Sequence, residues 1–273
     1  MDRLTHFLQR FDLQAQVLHN GALRTPLTMP RSATEGVMHV VRSGRASVQY
    51  GRVRKPLEGP AVAFFARPVA HNISPSRDGE ACVLSANVAF GLGDENPVLQ
   101  GMPRLLVLEA GDLSDLKPLL MVLFAEAQGQ RCGHATMMER LVEALVIRLL
   151  RLSIENRVVD VGVMAGLAEP RLAKALTAIH AAPDRHWDVE SMAAVASMSR
   201  SRFAALFSEV VGTPAGEYLK RWRIGLAKRM LRAGRPIKLI AGDVGYGSAM
   251  AFGRAFRQVA GASPRQWLAH VRG

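Results

Sequence analysis

Apolar positions along this chain keep two different periods. Between Gly36 and Phe90 they alternate. Val37 to Val41, a Ser43-Gly44 turn, then Ala46, Val48 and Tyr50 between polar neighbours predict a β-hairpin. Pro56 to Pro60 interrupts the chain, and Ala61 to Ala66 is a short apolar strand stopped by Pro68. Ala81 to Phe90 alternates again, with Cys82, Leu84, Ala86, Val88 and Phe90 on one face. Short strands separated by Gly and Pro turns predict a small barrel or sandwich. Ahead of them, Thr5 to Val17 reads as an amphipathic helix with Phe7, Leu8, Phe11 and Leu18 as its apolar members. From Asp115 the period becomes helical. Leu116, Leu119, Leu120 and Leu123 form one stripe, and Met138, Leu141, Leu145, Leu149 and Leu152 form another, with Gly129 to Gly133 as the turn between them. Such a pair packs either on the strands or against a second copy. Leu141, Leu145, Leu149 and Leu152 are the expected dimerisation seam, with core packing as the alternative.

The stretch from Asp188 to Leu268 carries one pattern twice. Ser199, Phe203, Phe207, Val210 and Gly212 recur with the same spacing as Ser248, Phe252, Phe256, Val259 and Gly261. Serine suits an N-cap, phenylalanines four apart share a helical face, and glycine suits a C-terminal cap. Each unit follows a short apolar helix and a tight turn: Met192 to Val195 with Ser197-Met198, then Ile240 to Val244 with Gly245-Tyr246. Two short helices joined this way form the helix-turn-helix pattern, and the alternative is a pair of ordinary helical hairpins. Between the units, Thr213-Pro214 opens a long helix to about Arg232. Tyr218, Trp222, Leu226 and Met230 are its expected buried stripe, with Lys220, Arg221, Arg223, Lys228, Arg229 and Arg232 around the remainder. A rigid helix of this length would hold the two units about one duplex turn apart, roughly 34 Å. Pro170 to His180 reads as a further helix, and Trp187 as a hydrophobic staple to Met192.

Charge divides the 273 residues into two parts. From Pro170 onward there are 17 Lys and Arg against 6 Asp and Glu, whereas the first 169 residues hold 18 against 17. The excess of positive charge therefore accompanies the tandem repeat, as binding to a phosphate backbone requires. No run reaches the roughly 20 apolar residues of a membrane span. The N-terminus lacks a signal-peptide core. Two cysteines exclude a disulfide scaffold and suit a reducing compartment. These features predict a soluble cytoplasmic protein with no membrane partner.

The segments MAAVASMSRSRFAALFSEVVGTPAGEYLKRWR and IAGDVGYGSAMAFGRAFRQVAGASPRQWL resemble the two helix-turn-helix units of AraC/XylS-type transcription regulators. The resemblance covers about the last hundred residues and extends more weakly over the N-terminal part, which looks like the cupin-type sensor of one subgroup. It implies an α+β chain. Residues 1-156 would form a cupin-like β-barrel with a helical pair, 157-169 a linker, and 170-273 an all-α DNA-binding domain. Double-stranded promoter DNA, RNA polymerase, a small-molecule effector and a second copy of the chain are the implied partners, with activation as the implied outcome. In the first recognition helix, the base-reading positions of the family fall on Ser201, Ala204 and Ala205, which depart from members carrying long polar side chains there. Small side chains can meet a thymine methyl or offer a hydroxyl but make no bidentate contact, which leaves affinity to Arg200 and Arg202 through phosphates. In the second helix, Ala249, Met250, Gly253, Arg254 and Arg257 are the candidates. Arg254 matches a contact position of the family, either reading guanine or clamping a phosphate.

No pair of histidines has metal-ligand spacing, and His39 and His71 appear as lone histidines of the barrel. A cupin-type metal enzyme fused to a DNA-binding domain is the alternative; it needs a His-x-His pair with a further Glu and His, so neither metal nor cofactor is expected. The remaining sensor candidates are thiols. Cys132 lies in a helix-helix turn beside Arg131 and His134 and is the more reactive of the two, while Cys82 lies on the apolar face of its strand. Where many members of the resembled subgroup carry a Cys-Gly pair, this chain carries Ser85-Ala86. His71 and His39 complete the sensor candidates, His71 as a polar member of a strand end or pocket rim.

Overall fold

A computed structural model describes residues 2–32, 34–76, 79–91, 96, 99, 101–129 and 131–272. The chain divides into two compact units. One comprises Leu13–Asp94 and Met102–Leu152, and the other Met1–Asp12, Glu95–Gly101 and Ser153–Gly273.

The first unit is built on two antiparallel sheets. Strands β1 (Gln14–Leu23), β8 (Ala81–Ala89), β3 (Glu35–Ser43), β6 (Ala61–Phe65) and β9 (Leu106–Leu108) form one sheet in that order. Strands β2 (Leu27–Met29), β7 (His71–Pro75), β4 (Arg45–Tyr50) and β5 (Val53–Glu58) form the other. Val41, Ala61, Ala63, Phe65 and Val83 of the first sheet share one core with Val48, Leu57 and Ile73 of the second. This is the cupin-like sandwich expected from short alternating strands, but its pairing departs from the expected hairpin. β3 pairs with β6 and β8, whereas β4 pairs with β5 and β7, so the Ser43-Gly44 turn carries the chain from one sheet to the other. Pro56 does not break the chain; it lies in β5 opposite Ser47. An edge strand accommodates a residue without an amide hydrogen.

The helices of this unit follow the leucine stripes. A 3-10 turn, Ser114–Leu116, leads into α2 (Lys117–Gln128), and α3 spans His134–Glu155. Gln130, within the expected intervening turn, lies outside the described residues. Asn20 Nδ2 of β1 donates to the Ala127 carbonyl at 2.8 Å, and the Ala15 amide donates to Glu143 at 3.3 Å, which tie the helical pair to that strand. Leu141, Leu145, Leu149 and Leu152 are buried within the chain. Side chains committed to the interior offer little area to a second copy, so the expected seam is corrected to core packing.

In the second unit, α1 (Thr5–Phe11) is shorter than the helix expected to Val17, because residues from Gln14 enter β1 and leave Leu18 45% exposed. Here α1 joins the C-terminal helices, with Arg3 donating to the Leu167 carbonyl and Arg10 to that of Ala181. The expected linker contains a buried helix, α4 (Val163–Ala168). After it come α5 (Pro170–Ala181), α6 (Val189–Val195), α7 (Arg200–Val211), α8 (Ala215–Arg232), α9 (Ile237–Asp243), α10 (Ala249–Ala260) and α11 (Pro264–Arg272).

Candidate nucleic-acid interface

The tandem repeat becomes two helix-turn-helix units with closely matched turns. The Met198 amide donates to the Ala193 carbonyl at 2.9 Å, and the Tyr246 amide donates to the Ala241 carbonyl at 2.8 Å. The preceding residue adopts a left-handed conformation in each, Ser197 at φ 57° and Gly245 at φ 81°. These are the hydrogen bonds and cap geometry of a Schellman ending. Glycine is required in the second turn, because a Cβ at Gly245 would stand 2.6 Å from the Arg223 guanidinium and 2.8 Å from the Asp184 Cα. The second turn is also one residue longer, with Gly247 preceding Ser248.

Both recognition helices, α7 and α10, are 12 residues long and end on left-handed glycines, Gly212 and Gly261. Their starts differ. The Ser248 hydroxyl accepts the Ala251 amide, while Ser199 makes no cap hydrogen bond. A capping box absent from the sequence-based reading opens α6, where Asp188 accepts the Ser191 amide at 2.7 Å and Ser191 accepts the Asp188 amide at 3.0 Å. Donation from the Ser191 backbone amide, and after it the Ser191 side chain, holds the Asp188 carboxyl below its ordinary range. The helix after Gly261 opens on a second box: the Gln266 side chain accepts the Ser263 amide, and Ser263 accepts the Gln266 amide.

Paired phenylalanines orient the two helices. Phe203 and Phe207 are fully buried with ring centroids 5.5 Å apart, and Phe207 meets Tyr218 of α8 at 5.8 Å. Phe252 and Phe256 are equally buried, 5.7 Å apart, and Phe256 meets Trp267 of α11 at 5.9 Å. With these faces turned inward, Arg200, Ser201, Arg202 and Ala205 of α7 are exposed and Ala204 is half-buried. On α10, Ala249, Met250, Arg254 and Arg257 are exposed, with Met250 at 73%, and Gly253 is half-buried. Equivalent positions carry different chemistry. Ala205 corresponds to Arg254, and Ser208 to Arg257, so α7 carries its cations at its first turn and α10 carries them further along.

The long helix α8 starts one residue later than expected, with Pro214 as its N-cap. Its basic residues are engaged within the protein. Lys220 and Arg221 pair with Glu217, and these hydrogen bonds, Lys220 foremost, lower the Glu217 carboxyl. Arg223 donates to the carbonyls of Pro183 and Arg185. Arg229 bonds the Arg10 carbonyl and pairs with Asp12 at 3.4 Å. Lys228 is buried rather than outward, and it and Arg232 lie over the Trp267 ring at 5.3 Å. The centre of this unit is aromatic. His180 stacks on Trp222 at 3.9 Å and bonds Tyr218 through Nε2, and burial pushes His180 down to about 3 and Tyr218 well above its ordinary value.

The sensor candidates fall in the first unit. His39 and His71 are not lone residues: both are buried, and their Nε2 atoms lie 2.8 Å apart. His39 Nδ1 lies 2.8 Å from the Ser85 hydroxyl, and His71 Nδ1 lies 2.7 Å from the Val69 carbonyl, with the His71 ring stacked on Phe65 at 3.9 Å. Burial, first, and the neighbouring imidazole keep His39 well below its usual range, and burial lowers His71 as well. Two histidines separated by 32 residues give no sequence signal of such a contact. Cys132 is exposed and Cys82 half-buried, both as free thiols. Among the described residues, no group of three or more His, Cys, Asp or Glu could hold a metal ion, and no helix is long and apolar enough to cross a membrane.

Two family models match the chain, a cupin over residues 2–155 and a helix-turn-helix domain over residues 192–270. A putative AraC-like transcription regulator from Streptomyces antibioticus is 34% identical over 219 residues, covering 79% of this chain and 72% of the relative. The RCS-specific HTH-type transcriptional activator RclR of Escherichia coli K12 is 24% identical over 283 residues, spanning 100% of this chain and 99% of its own. Among solved structures, the DNA-binding domain of AdpA in complex with a target DNA is 30% identical, covering 37% of this chain and 91% of that one, with a TM-score of 0.35. With its tandem helix-turn-helix units behind a cupin sandwich, the chain belongs to the AraC family of DNA-binding transcription regulators.

Proposed function

We propose that α7 and α10 each enter the major groove of promoter DNA, in successive segments on one face, and that the cupin unit controls this engagement by binding an effector. The observation that carries the reading is the division of labour among the cations. The basic residues of α8 are held by partners inside the protein. Arg200, Arg202, Arg254 and Arg257 are exposed on the two recognition helices and free to meet DNA. On α10, Arg254 reads a guanine edge and Met250 meets a thymine methyl. On α7, Ser201, Ala204 and Ala205 make the close groove contacts while Arg200 and Arg202 clamp phosphates. Ala249, Gly253 and Arg257 complete the second surface.

In this reading the protein is a cytoplasmic activator that recruits RNA polymerase. A second copy of the chain pairs through surfaces other than the buried leucine stripe, and the ligand favours the sensor state that permits DNA engagement. The effector is a small molecule in preference to an oxidant. Ser85 occupies a place where a thiol was expected from the resembled subgroup, and its hydroxyl is already bonded to His39. The reading is tested by measuring binding of the full chain to DNA upstream of its own and neighbouring genes, against unrelated DNA, over a salt series. A preferred site whose advantage shrinks in Arg254→Ala supports it. Equal, steeply salt-dependent binding to every DNA overturns it, because that behaviour needs only a basic surface.

A further inference from the structure

Beside the end of β3, Arg42, Pro60, the loop through Leu113 and the first turns of α2 line a half-open pocket of about 420 Å3. This is within the size range of small-molecule sites. Its inner wall is apolar, with Leu113 and Leu120 buried and Phe124 half-buried. Met121, on the same helix, is 64% exposed and stands where it can fold over an occupant. An unbranched thioether adapts readily to irregular apolar shapes.

The polar side of the cavity has a single sign. Arg42 and Lys117 line it, and no carboxylate does. Among the described residues neither cation has a hydrogen-bond or ion-pair partner, unlike the cations of α8. Lys117 is also the first residue of a 12-residue helix, whose positive end adds to the same field. An apolar wall facing two uncompensated cations is complementary to a molecule that is apolar over most of its length and anionic at one end.

We propose that this cavity binds a small carboxylate with an aryl or alkyl body, its carboxylate held between Arg42 and Lys117 and its body lying along Leu113, Leu120 and Phe124. An arginine offers a planar fork to a carboxylate, and the lysine adds a mobile point charge. Calling this ligand the effector rests on the regulator reading above; the binding itself does not.

The test uses the full chain in isothermal titration with 4-phenylbutyrate, beside 4-phenylbutanol and 4-phenylbutylamine as neutral and cationic analogues of the same shape. The carboxylate is expected to bind about tenfold or more tightly than the alcohol, and the amine not at all. Arg42→Gln and Lys117→Gln should each weaken carboxylate binding about tenfold while leaving the alcohol unchanged. Equal binding of acid, alcohol and amine, or acid binding unaltered in both variants, overturns the inference, as does an absence of acid binding at millimolar concentration. DNA binding is measured on the same preparations. A preferred DNA site without carboxylate binding overturns the inference and leaves the regulator reading standing. Carboxylate binding by a protein with no preferred site supports the inference and overturns that reading.

Discussion

The Nε2 atoms of His39 and His71 lie 2.8 Å apart and join the two sheets of the sandwich, because His39 belongs to β3 and His71 to β7. Their protons are assigned by the groups at either end. The Val69 carbonyl can only accept, so His71 carries its proton on Nδ1, and a neutral His71 then accepts at Nε2. His39 must donate from Nε2, which leaves its Nδ1 to accept the Ser85 hydroxyl. The chain Ser85, His39, His71, Val69 is therefore satisfied at every bond with both rings neutral. Ser85→Ala removes the donor to a fully buried nitrogen and should cost about 1–3 kcal/mol. Calorimetric melting of the full chain checks this, and an unchanged first-unit transition would remove the proposed hydrogen-bond order.

Acid should loosen the C-terminal unit through His180. Burial lowers its folded-state pKa to about 3, so the unfolded chain takes up the proton first. The contribution is complete above the ordinary histidine pKa of about 6.5 and is withdrawn as pH falls from there, by up to about 1.4 kcal/mol per pH unit. All three tryptophans, Trp187, Trp222 and Trp267, belong to this unit, so their fluorescence reports its unfolding alone. Urea midpoints should fall between pH 7.5 and 5.5, and His180→Phe should flatten that fall.

The two turns respond to substitution in opposite directions. Gly245→Ala places a methyl group against Arg223 and the Asp184 backbone at a left-handed position, and should destabilise the unit by more than about 1 kcal/mol. Ser197→Gly relieves a left-handed conformation in an exposed residue and should stabilise it by roughly 0.5–1 kcal/mol. The same tryptophan-monitored titrations measure both.

Phosphate contacts and base contacts separate by their salt response. Arg200→Ala and Arg202→Ala should weaken binding to all DNA and each lower the salt slope by about one. Arg254→Ala should instead lose about 1–3 kcal/mol at the preferred site with little change on unrelated DNA. Fluorescence anisotropy across a salt series distinguishes these outcomes, and because all three side chains are exposed, unfolding does not confuse them.

The two thiols should differ in reactivity. Peptide mapping after brief iodoacetamide treatment of the native protein should find Cys132 modified well ahead of Cys82, since one is exposed and the other half-buried in β8. Equal labelling would mean that β8 opens readily on that timescale.

The tandem units were legible along the chain because everything that defines them is local. Phenylalanines four apart, a glycine closing each helix and a tight turn before it operate within a dozen residues, and their repetition excludes coincidence. Alternation likewise announced β4 and β8, and short apolar runs announced β3 and β6, before any pairing was known. Pairing was decided in three dimensions: the Ser43-Gly44 turn reads as a hairpin, but competition from β6 and β8 for the edges of β3 sends β4 to the other sheet. Periodicity identified Leu141, Leu145, Leu149 and Leu152 as an apolar stripe without saying what it would cover, and burial within the chain assigns it to the core. The outward cations of α8 and the separate histidines of the sandwich follow the same rule. A side chain's chemistry is written in sequence, but its partner comes from a distant segment, and only the tertiary contacts that bring Arg229 to Asp12 and His39 to His71 determine which groups remain free to act.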